Sequence, residues 1–327
     1  MNSESSRMMF RIVFILLLTA ALIAFVELVK FPKHVAFWSE VQNTGHIPLF
    51  GCFAILVLRY AIKPSRLFMD KALFQYITAL IIALGVGLLV EVIQYFGARD
   101  ADIYDVARDM IGAVAFCLIY IAFDRDSHSK FAWWRNAYSY LSTVIAIVVL
   151  AIYMTPLASL GYAYIERNSN FPVICDFDSP SIMAFIRPQK ARLDIIETPA
   201  EFPLKDKRSI GKLSLFPSAY PGIVIKEPVG DWTGYQSLLI TIYSENPEPI
   251  KLSIRIDDIY YNNTYNDRFN RRVEIVKGIN EIRIPLDDIR YAPMMREMDM
   301  SNISLIILFS PDLAESTTIY LSQIHLE

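Results

Sequence analysis

The sequence predicts two domains of different class: a multi-pass α-helical membrane domain of about five transmembrane helices, followed by an all-β sandwich or barrel. The 327-residue chain is 54% hydrophobic with a mean hydropathy of +0.34, which is too apolar for a soluble globule. The long uncharged runs lie within residues 9–160, and alternation with a period of two begins after about residue 170. We therefore expect domains at residues 1–162 and 171–327, joined by a linker at residues 163–170.

Five segments are long and apolar enough to cross a bilayer, which takes about 20 residues of helix. They are residues 10–29, 46–61, 72–95, 103–123 and 140–162. The first segment has no convincing small-residue cleavage site, so we interpret it as a retained anchor and not as a signal peptide.

Basic residues are distributed unevenly among the loops. The N-terminus and the surroundings of the second and fourth loops carry the larger set: Arg7, Arg11, Arg59, Lys63, Arg66, Lys71, Arg125, Lys130 and Arg135. The smaller set consists of Lys30 and Lys33 in the first loop and of Arg99 and Arg108 around the third. The positive-inside rule then places the N-terminus in the cytoplasm. We expect a multi-pass protein of the cytoplasmic (inner) membrane, with its C-terminal domain on the extracytoplasmic, periplasmic side.

Ionisable residues gather at the outer end of the third span and the start of the fourth, in EVIQYFGARDADIYDVARDMIG (residues 91–112). Glu91 and Gln94 share a helix face through their i, i+3 spacing. A carboxylate within a span is costly and is usually functional or paired, which makes Glu91 a candidate site residue. Arg99 is the natural counter-charge, and His46, at the start of the second span, falls at the same membrane surface.

Three further carboxylates, Asp102, Asp105 and Asp109, are spaced three and four residues apart, so they share a face where the fourth helix begins. Acidic groups in a first turn are also favoured by the helix dipole. The alternative for Asp102 is a solvated loop carboxylate, and the alternative for His46 is a structural interfacial histidine.

Two stretches, GHIPLFGCFAILVL (residues 45–58) and EVIQYFGARDADIYDVARDMIGAVAF (residues 91–116), resemble the VanZ-like membrane family. That family carries a His at the start of one span, then E-x-x-Q, and then an Arg-Asp loop with D-x-x-x-N-x-x-G. The matching positions are His46, Glu91, Gln94, Arg99, Asp102, Asp105 and Gly112. Gln42 and Asn43 stand where the family has an Asp-Lys pair, and Asp109 stands in place of its Asn. The resemblance implies a bacterial cell-envelope protein.

The C-terminal region has the alternating pattern of strands with one face in a core. In KLSIRID (residues 251–257), Leu252, Ile254 and Ile256 share one face. The segments SLLITIY, EIRIPL, ISLIILF and TIYLSQIHL add further strands. Short polar turns between them indicate an antiparallel sandwich or barrel.

Several of these segments also resemble the jelly-roll modules of the carbohydrate-binding and galactose-binding-like type. The matching stretches are ICDFDSP, DWTGYQSLLITIY, KLSIRIDD, YNDRFNRR, KGINEIRIPLDDI and TIYLSQIHL. The resemblance covers most of residues 171–327 and implies a jelly-roll sandwich.

Aromatic and polar residues alternate in DDIYYNNTYNDRFNRR, residues 257–272. Aromatic faces beside hydrogen-bonding side chains suit sugar rings, whose faces are apolar and whose rims are polar. The candidate glycan-binding residues are Tyr260, Tyr261, Tyr265, Asp267 and Arg268. The alternative is that Tyr260 or Phe269 packs the sandwich while Asp267 and Arg268 form a structural ion pair. Trp232 opens an apolar strand and is expected in the core.

The familiar catalytic and nucleotide-binding motifs are absent from the sequence: G-x-S-x-G, the P-loop, H-E-x-x-H and C-x-x-C. His34, His46, His128 and His325 are scattered, which argues against a His-rich metal site, and we expect neither a metal site nor a cofactor. The alternative is a structural calcium held by loop carboxylates of the outer domain, which no spacing in the sequence specifies. A net charge of -3 argues against nucleic acid as a partner. The expected partners are membrane lipids and an envelope polysaccharide or glycolipid.

Two hypotheses follow. In the first, the outer domain binds a glycan or glycolipid, and the membrane bundle anchors and positions it. In the second, the protein is a membrane enzyme or a lipid-handling protein that acts on a lipid-linked or anionic head group. Glu91 would then act as a general base with Asp105 or His46 assisting, and Arg99 would hold the anionic group.

Overall fold

The computed structural model describes residues 3–29, 31–32, 35–65, 71–97, 102–124, 137–204 and 207–327. The chain divides into two compact units, Met1–Ala158 and Ser159–Glu327. The first is helical, and the second is an antiparallel β-sandwich of two sheets. Both predicted classes are therefore confirmed.

Five helices in the described ranges are long and apolar enough to cross a membrane, as the sequence predicts. They are α1 (Ser3–Leu28), α2 (Ala36–Val57, continued by a π-helical turn at Leu58–Ile62), α3 (Ala72–Phe96), α4 (Ile103–Phe123) and α5 (Ala137–Asn170). Apolar side chains such as Leu17, Ile145 and Ile152 are exposed on the outside of this unit, which suits contact with lipid.

The second helix begins earlier than the predicted span. Polar residues in AFWSEVQNTG lower the hydropathy of residues 36–45 but do not interrupt the helix. His46 was expected at the start of a span, and this expectation is wrong, because the residue lies about three turns inside α2.

The fifth helix contains the residues that the sequence predicts as a linker. Residues 163–170 continue α5, since no glycine or proline interrupts them, and the two units divide between Ala158 and Ser159. Within the second unit this last part of the helix packs on the sandwich. The Tyr164 ring meets Phe185 edge-on at 5.0 Å, and the Arg167 guanidinium lies 4.7 Å from the Tyr164 ring.

The helical unit is held together where α2, α3 and α4 meet. Phe50 and Phe53 of α2 are buried against Ala83 of α3 and Ala113 of α4. Helices α2 and α4 approach closely at Gly112, where an added Cβ would lie only 2.0 Å from the Ile47 carbonyl oxygen. A glycine at this position is therefore what permits the two backbones to touch.

The sandwich consists of eleven strands in the described residues. They are β1 (Val173–Asp176), β2 (Ile186–Gln189), β3 (Ala191–Glu197), β4 (Ser209–Leu215), β5 (Gly222–Lys226), β6 (Ser237–Ser244), β7 (Ile250–Asp258), β8 (Phe269–Ile275), β9 (Gly278–Pro285), β10 (Ile303–Phe309) and β11 (Thr317–Leu326). A short helix, α6 (Leu286–Arg290), follows β9. One sheet has the order β3-β4-β11-β6-β9, with β1 also paired to β11, and the other has the order β2-β5-β10-β7-β8.

The predicted alternation holds along the strands. Leu252, Ile254 and Ile256 of β7 are all buried in the core between the sheets. Trp232 is fully buried there as predicted, and its indole N–H donates to the Val229 carbonyl at 2.9 Å. Phe269 is also buried, which confirms the packing role given above as its alternative. The residues between these inward positions consequently face outward from the five-stranded sheet.

Candidate functional site

The helical unit brings together most of the polar residues singled out in the sequence. His46 comes from α2, Glu91 and Gln94 come from α3, and the carboxylates of α4 and its N-cap complete the group. We call His46, Glu91, Gln94, Asp102, Asp105 and Asp109, together with Arg108, the polar cluster. The predicted member Arg99 lies outside the described residues.

The centre of the polar cluster is a contact between His46 and Asp109. His46 Nδ1 is 2.9 Å from Asp109 Oδ1, and His46 Nε2 is 3.8 Å from Asp105 Oδ2. Asp109 is fully buried, and the imidazole is nearly so. A carboxylate at such a position needs a hydrogen-bond donor, and the ring N–H of His46 provides one.

Two glycines make this contact sterically possible. Gly112 lies one turn beyond Asp109 on the same face of α4, and it contacts the backbone of Ile47, the residue after His46. On the other side, an added Cβ at Gly87 of α3 would lie 2.9 Å from Asp109 Oδ2. The Asp109 carboxylate therefore fits in a narrow space between two helices that only small residues leave open.

The remaining carboxylates are joined through the start of α4. Asp102 caps the helix, since its Oδ1 accepts from the Tyr104 N–H at 2.9 Å. The Asp102 N–H in turn donates to Glu91 Oε2 at 2.8 Å. Arg108 is hydrogen-bonded to Asp105 and lies 3.9 Å from Asp102 Oδ2.

Arg108 is thus a counter-charge that the sequence analysis missed. The i, i+3 spacing of Asp105 and Arg108 within a helix is the signal in the sequence that indicates this pair. The Asp102 carboxylate caps α4 while its side chain is 45% exposed, and the backbone N–H of the same residue donates to Glu91.

Two oxygens of the polar cluster are buried and lack a hydrogen-bond partner within the described ranges. They are Glu91 Oε1 and Asp109 Oδ2. Gln94 is buried beside Glu91 on the same helix. Unsatisfied carboxylate oxygens can accept hydrogen bonds from a hydroxyl or ammonium group, or can take up a proton. In the part of the chain that the structure describes, His, Cys, Asp and Glu side chains do not group in a way that could hold a metal ion.

The β-sandwich carries a groove of about 570 Å³ on the outer face of its five-stranded sheet. Its arginines are Arg255, Arg268, Arg271 and Arg272. The aromatic lining residues are Tyr220, Tyr265 and Phe309, and Gln189, Ser253 and Asn270 supply amides and a hydroxyl. Ile307 and Pro311 complete the lining.

Strand register places these side chains side by side. Arg255 of β7 is paired with Asn270 of β8 on one side and with Ile307 of β10 on the other. The next outward position repeats the arrangement, with Ser253 between Arg272 and Phe309. Because a sheet fixes such neighbours rigidly, the floor of the groove is a preformed surface.

Three of the five predicted glycan-binding residues lie in or against this groove. Tyr265 is 66% exposed, and its ring lies 5.0 Å from the Arg268 guanidinium. Tyr261 accepts a hydrogen bond from Arg268 at 3.4 Å and stacks on Arg255 at 4.8 Å, so it supports two groove arginines. Tyr260 is 63% exposed but does not line the groove.

The fifth, Asp267, is buried, and its ion-pair partner is Arg296, not the adjacent Arg268 considered above as its partner. Arg296 Nε donates to Asp267 Oδ1 at 2.6 Å, and Arg296 Nη2 donates to Asp258 Oδ1 at 2.8 Å. Asp267 also accepts from the Asn262 N–H at 2.9 Å. Asp267 consequently has a structural connection to the loop that carries Tyr261 and Tyr265.

The Arg296–Asp267 ion pair shifts the pKa values of both of its members. The Arg296 guanidinium lowers the pKa of Asp267, and Asp258 together with Asp267 raises the pKa of Arg296. Sequence reasoning missed Arg296, since its partners are 29 and 38 residues away and no periodicity relates the three positions.

Fold and sites together define a class of protein: a helical domain with five apolar helices and an internal polar cluster, joined to an antiparallel sandwich with a basic and aromatic groove. Residues 2–124 match the family model VanZ/LLP1, so the chain carries a VanZ-like domain, which confirms the resemblance seen in the sequence. The match includes the first helix as well as the segments that carried the resemblance. Comparison with curated proteins gave no match.

Solved structures similar to this chain include carbohydrate-binding modules and glycoside hydrolases. An exo-β-agarase is 16% identical with a TM-score of 0.39, and the match covers 47% of this chain and 24% of the agarase chain. The family 11 carbohydrate-binding module from Clostridium thermocellum, in complex with a β-1,3-1,4-mixed-linked tetrasaccharide, is 18% identical with a TM-score of 0.35. That match covers 47% of this chain and 93% of the module. This chain therefore spans about a quarter of the agarase and nearly all of the module.

Proposed function

We propose that the protein is a membrane-anchored glycan-binding protein of the bacterial cell envelope. The groove on the five-stranded sheet binds an envelope polysaccharide or glycolipid, and the VanZ-like helical domain anchors the sandwich in the membrane. The observation that carries this proposal is the lining of the groove, where exposed aromatic rings stand beside hydrogen-bonding side chains on a rigid sheet.

The groove has the size and the chemistry of a ligand site. Its volume of about 570 Å³ falls within the range of about 300–1,000 Å³ usual for such sites. Tyr265 and Tyr220 are exposed, so their rings are free to pack against the apolar face of a sugar. Ser253 and Asn270 line the groove directly across from Arg272 and Arg255, where they can hydrogen-bond sugar hydroxyls.

The same proposal includes an orientation. The excess of Lys and Arg before the first span and in the second and fourth loops supports a cytoplasmic N-terminus in the inner membrane. Five crossings then put the sandwich in the periplasm or its equivalent, where envelope glycans are found. A periplasm-active reporter fused after Glu327 should be active, and an expressed but inactive fusion would contradict this orientation.

Glycan binding is tested with the full-length protein in nanodiscs on a glycan array. Tyr265→Ala should weaken binding about fivefold or more, since stacking of this kind is worth on the order of 1 kcal/mol or more per ring. Tyr260→Ala is the matched control, because the two tyrosines are equally exposed and only Tyr265 lines the groove. Failure to bind any glycan, or equal losses from both substitutions, would rule out this groove as the glycan site.

A second candidate function concerns the polar cluster, and the unpartnered oxygens of Glu91 and Asp109 favour it. The cluster would bind the head group of a lipid-linked substrate through these acceptors, with Arg99 holding an anionic group. Glu91 would act as a general base with Asp105 or His46 assisting. Glu91→Gln and Arg99→Ala should then abolish a cellular phenotype without lowering the amount of protein, whereas wild-type behaviour of both would exclude the site.

A further inference from the structure

We propose that the ligand of the groove is an acidic glycan, whose carboxylate or phosphate groups bind Arg268 and Arg272. This inference rests on the proposed glycan-binding function and adds the charge class of the ligand. The evidence comes from the lining residues, from the partners of each arginine and from the spacing of the two free cations along one strand.

The lining of the groove is charged with one sign only. Four of its twelve lining residues are arginines, and none is an aspartate or glutamate. The whole chain has 31 basic and 34 acidic residues, so this composition is a local property of the groove. Sugar hydroxyls both donate and accept hydrogen bonds, so we would expect a site for a neutral glycan to include carboxylate acceptors.

Two of the four arginines are already neutralised. Arg255 donates from Nε to both oxygens of Asp257, at 2.9 and 3.1 Å. Arg271 pairs with Asp288 at 2.5 Å. These two side chains are held in place by their carboxylates, and they contribute shape and hydrogen-bond donors more than net charge.

The other two arginines have no carboxylate partner in the described ranges. Arg268 donates to the Tyr261 hydroxyl at a long 3.4 Å, and its Nε is buried without a partner. Arg272 is exposed on β8, directly across from Ser253, without an ion pair in the described residues. A buried donor without a hydrogen-bond partner destabilises the protein. An anionic group of the ligand would remove this cost by accepting the hydrogen bond.

The two free cations lie on one face of an extended segment. Arg268 has extended backbone angles (φ −149°, ψ 162°) and immediately precedes β8, so Arg268, Asn270 and Arg272 alternate onto the same side. Four residues of strand separate the two arginines by about 13 Å. A ligand that reaches both must therefore carry acidic groups at more than one position, as an acidic polymer does.

The aromatic and apolar side chains of the groove indicate that its ligand is not a simple polyanion. Phe309 and Ile307 lie on β10, which β7 separates from β8, and Tyr265 stacks on the Arg268 guanidinium. The Arg268 fork is thus oriented by an aromatic ring that is itself open to a sugar. Rings and anions are recognised side by side, which points to a uronate-containing or phosphate-containing glycan.

The test uses the full-length protein in nanodiscs of zwitterionic lipid, with binding measured by biolayer interferometry. The probes are alginate as a uronate polymer, a glycosylated polyol-phosphate polymer, and mixed-linked β-glucan as a neutral polymer. At least one acidic polymer should bind, with an affinity that falls about tenfold or more between about 50 and about 500 mM NaCl. The two acidic probes show whether carboxylate or phosphate is preferred.

Arg268→Gln and Arg272→Gln should each weaken acidic-polymer binding about tenfold. Arg283→Gln and Arg192→Gln are the controls, because these exposed arginines lie on the other sheet and pair with Glu327 and Asp194. Binding of the neutral glucan alone would overturn the acidic ligand but leave the proposed glycan-binding function intact. Acidic binding unchanged by either groove substitution would place the anion elsewhere and also overturn the inference. If none of the three polymers binds, the acidic ligand is overturned, and the glycan array decides separately whether the groove binds any other glycan.

Discussion

Arg296 joins Asp258, at the end of β7, to the loop that follows it. The guanidinium donates to Asp258 Oδ1 at 2.8 Å, and Asp258 also accepts from the Asp299 N–H at 2.8 Å. Through its second partner, Asp267, the same side chain fixes the segment that carries Tyr261 and Tyr265. The position of the groove's aromatic rim therefore depends on a charged residue that does not line the groove.

Replacing Arg296 should destabilise the sandwich and weaken glycan binding together. Arg296→Met leaves the carboxylate of Asp258 buried without its cation, which should lower the free energy of unfolding by about 3 kcal/mol. This value is at the low end for a broken buried ion pair, because the Arg296 side chain is 27% exposed. Urea unfolding of the nanodisc-embedded protein measures the change. Arg192→Met, at an exposed pair with Asp194, should shift the free energy of unfolding by less than about 0.5 kcal/mol. Equal effects of the two substitutions would contradict a special role for Arg296.

The Arg296–Asp267 pair should also give the sandwich a defined acid sensitivity. Arg296 keeps the pKa of Asp267 below its usual value of about 3.9, so the carboxylate binds its proton more weakly in the folded state. The stabilisation is complete above the usual pKa and is lost as the pH falls through the lowered one. The stability difference between the wild type and Asp267→Asn should thus be constant near neutral pH and shrink below about pH 4. A difference that grows on acidification would show the opposite sign and refute this assignment.

Gly112 should be essential to the helical domain. In Gly112→Ala the new Cβ would meet the Ile47 carbonyl oxygen at 2.0 Å, so α2 and α4 must separate and His46 must leave Asp109. We expect a loss of about 3 kcal/mol or more, the upper end for overpacking, seen as a lower unfolding temperature in detergent. Gly85→Ala is the control, because nothing lies within 4 Å of its added Cβ. If Gly112→Ala were as stable as Gly85→Ala, α2 and α4 could not be in close contact at Gly112.

The features that the sequence predicted well depend on short-range patterns. Leu252, Ile254 and Ile256 alternate within one strand, and that alternation alone places them in the core. The five spans follow from hydropathy in the same way. The start of α2 was missed, because polar residues within a helix lower hydropathy without ending the helix.

The features that the sequence left open depend on contacts between distant segments. His46 and Asp109 are 63 residues apart, and topology placed them at one membrane surface without indicating a direct contact. No pattern in the sequence indicated that Arg296 lies near Asp258 or Asp267. Such pairs are fixed by how helices or loops pack, which leaves no periodic trace in the chain.

The His46–Asp109 contact can be tested by replacing the carboxylate with groups that differ in hydrogen bonding. Asp109→Asn keeps an acceptor for the His46 N–H and matches the Asn that the VanZ-like pattern carries at this position, so it should fold like the wild type. Asp109→Leu removes the acceptor and leaves a buried imidazole unsatisfied, at a cost of about 1–3 kcal/mol. Unfolding in detergent measures both variants, and His46→Leu combined with Asp109→Leu should recover part of the loss, because the double variant leaves neither partner unsatisfied. Strictly additive losses would mean that the two side chains do not interact.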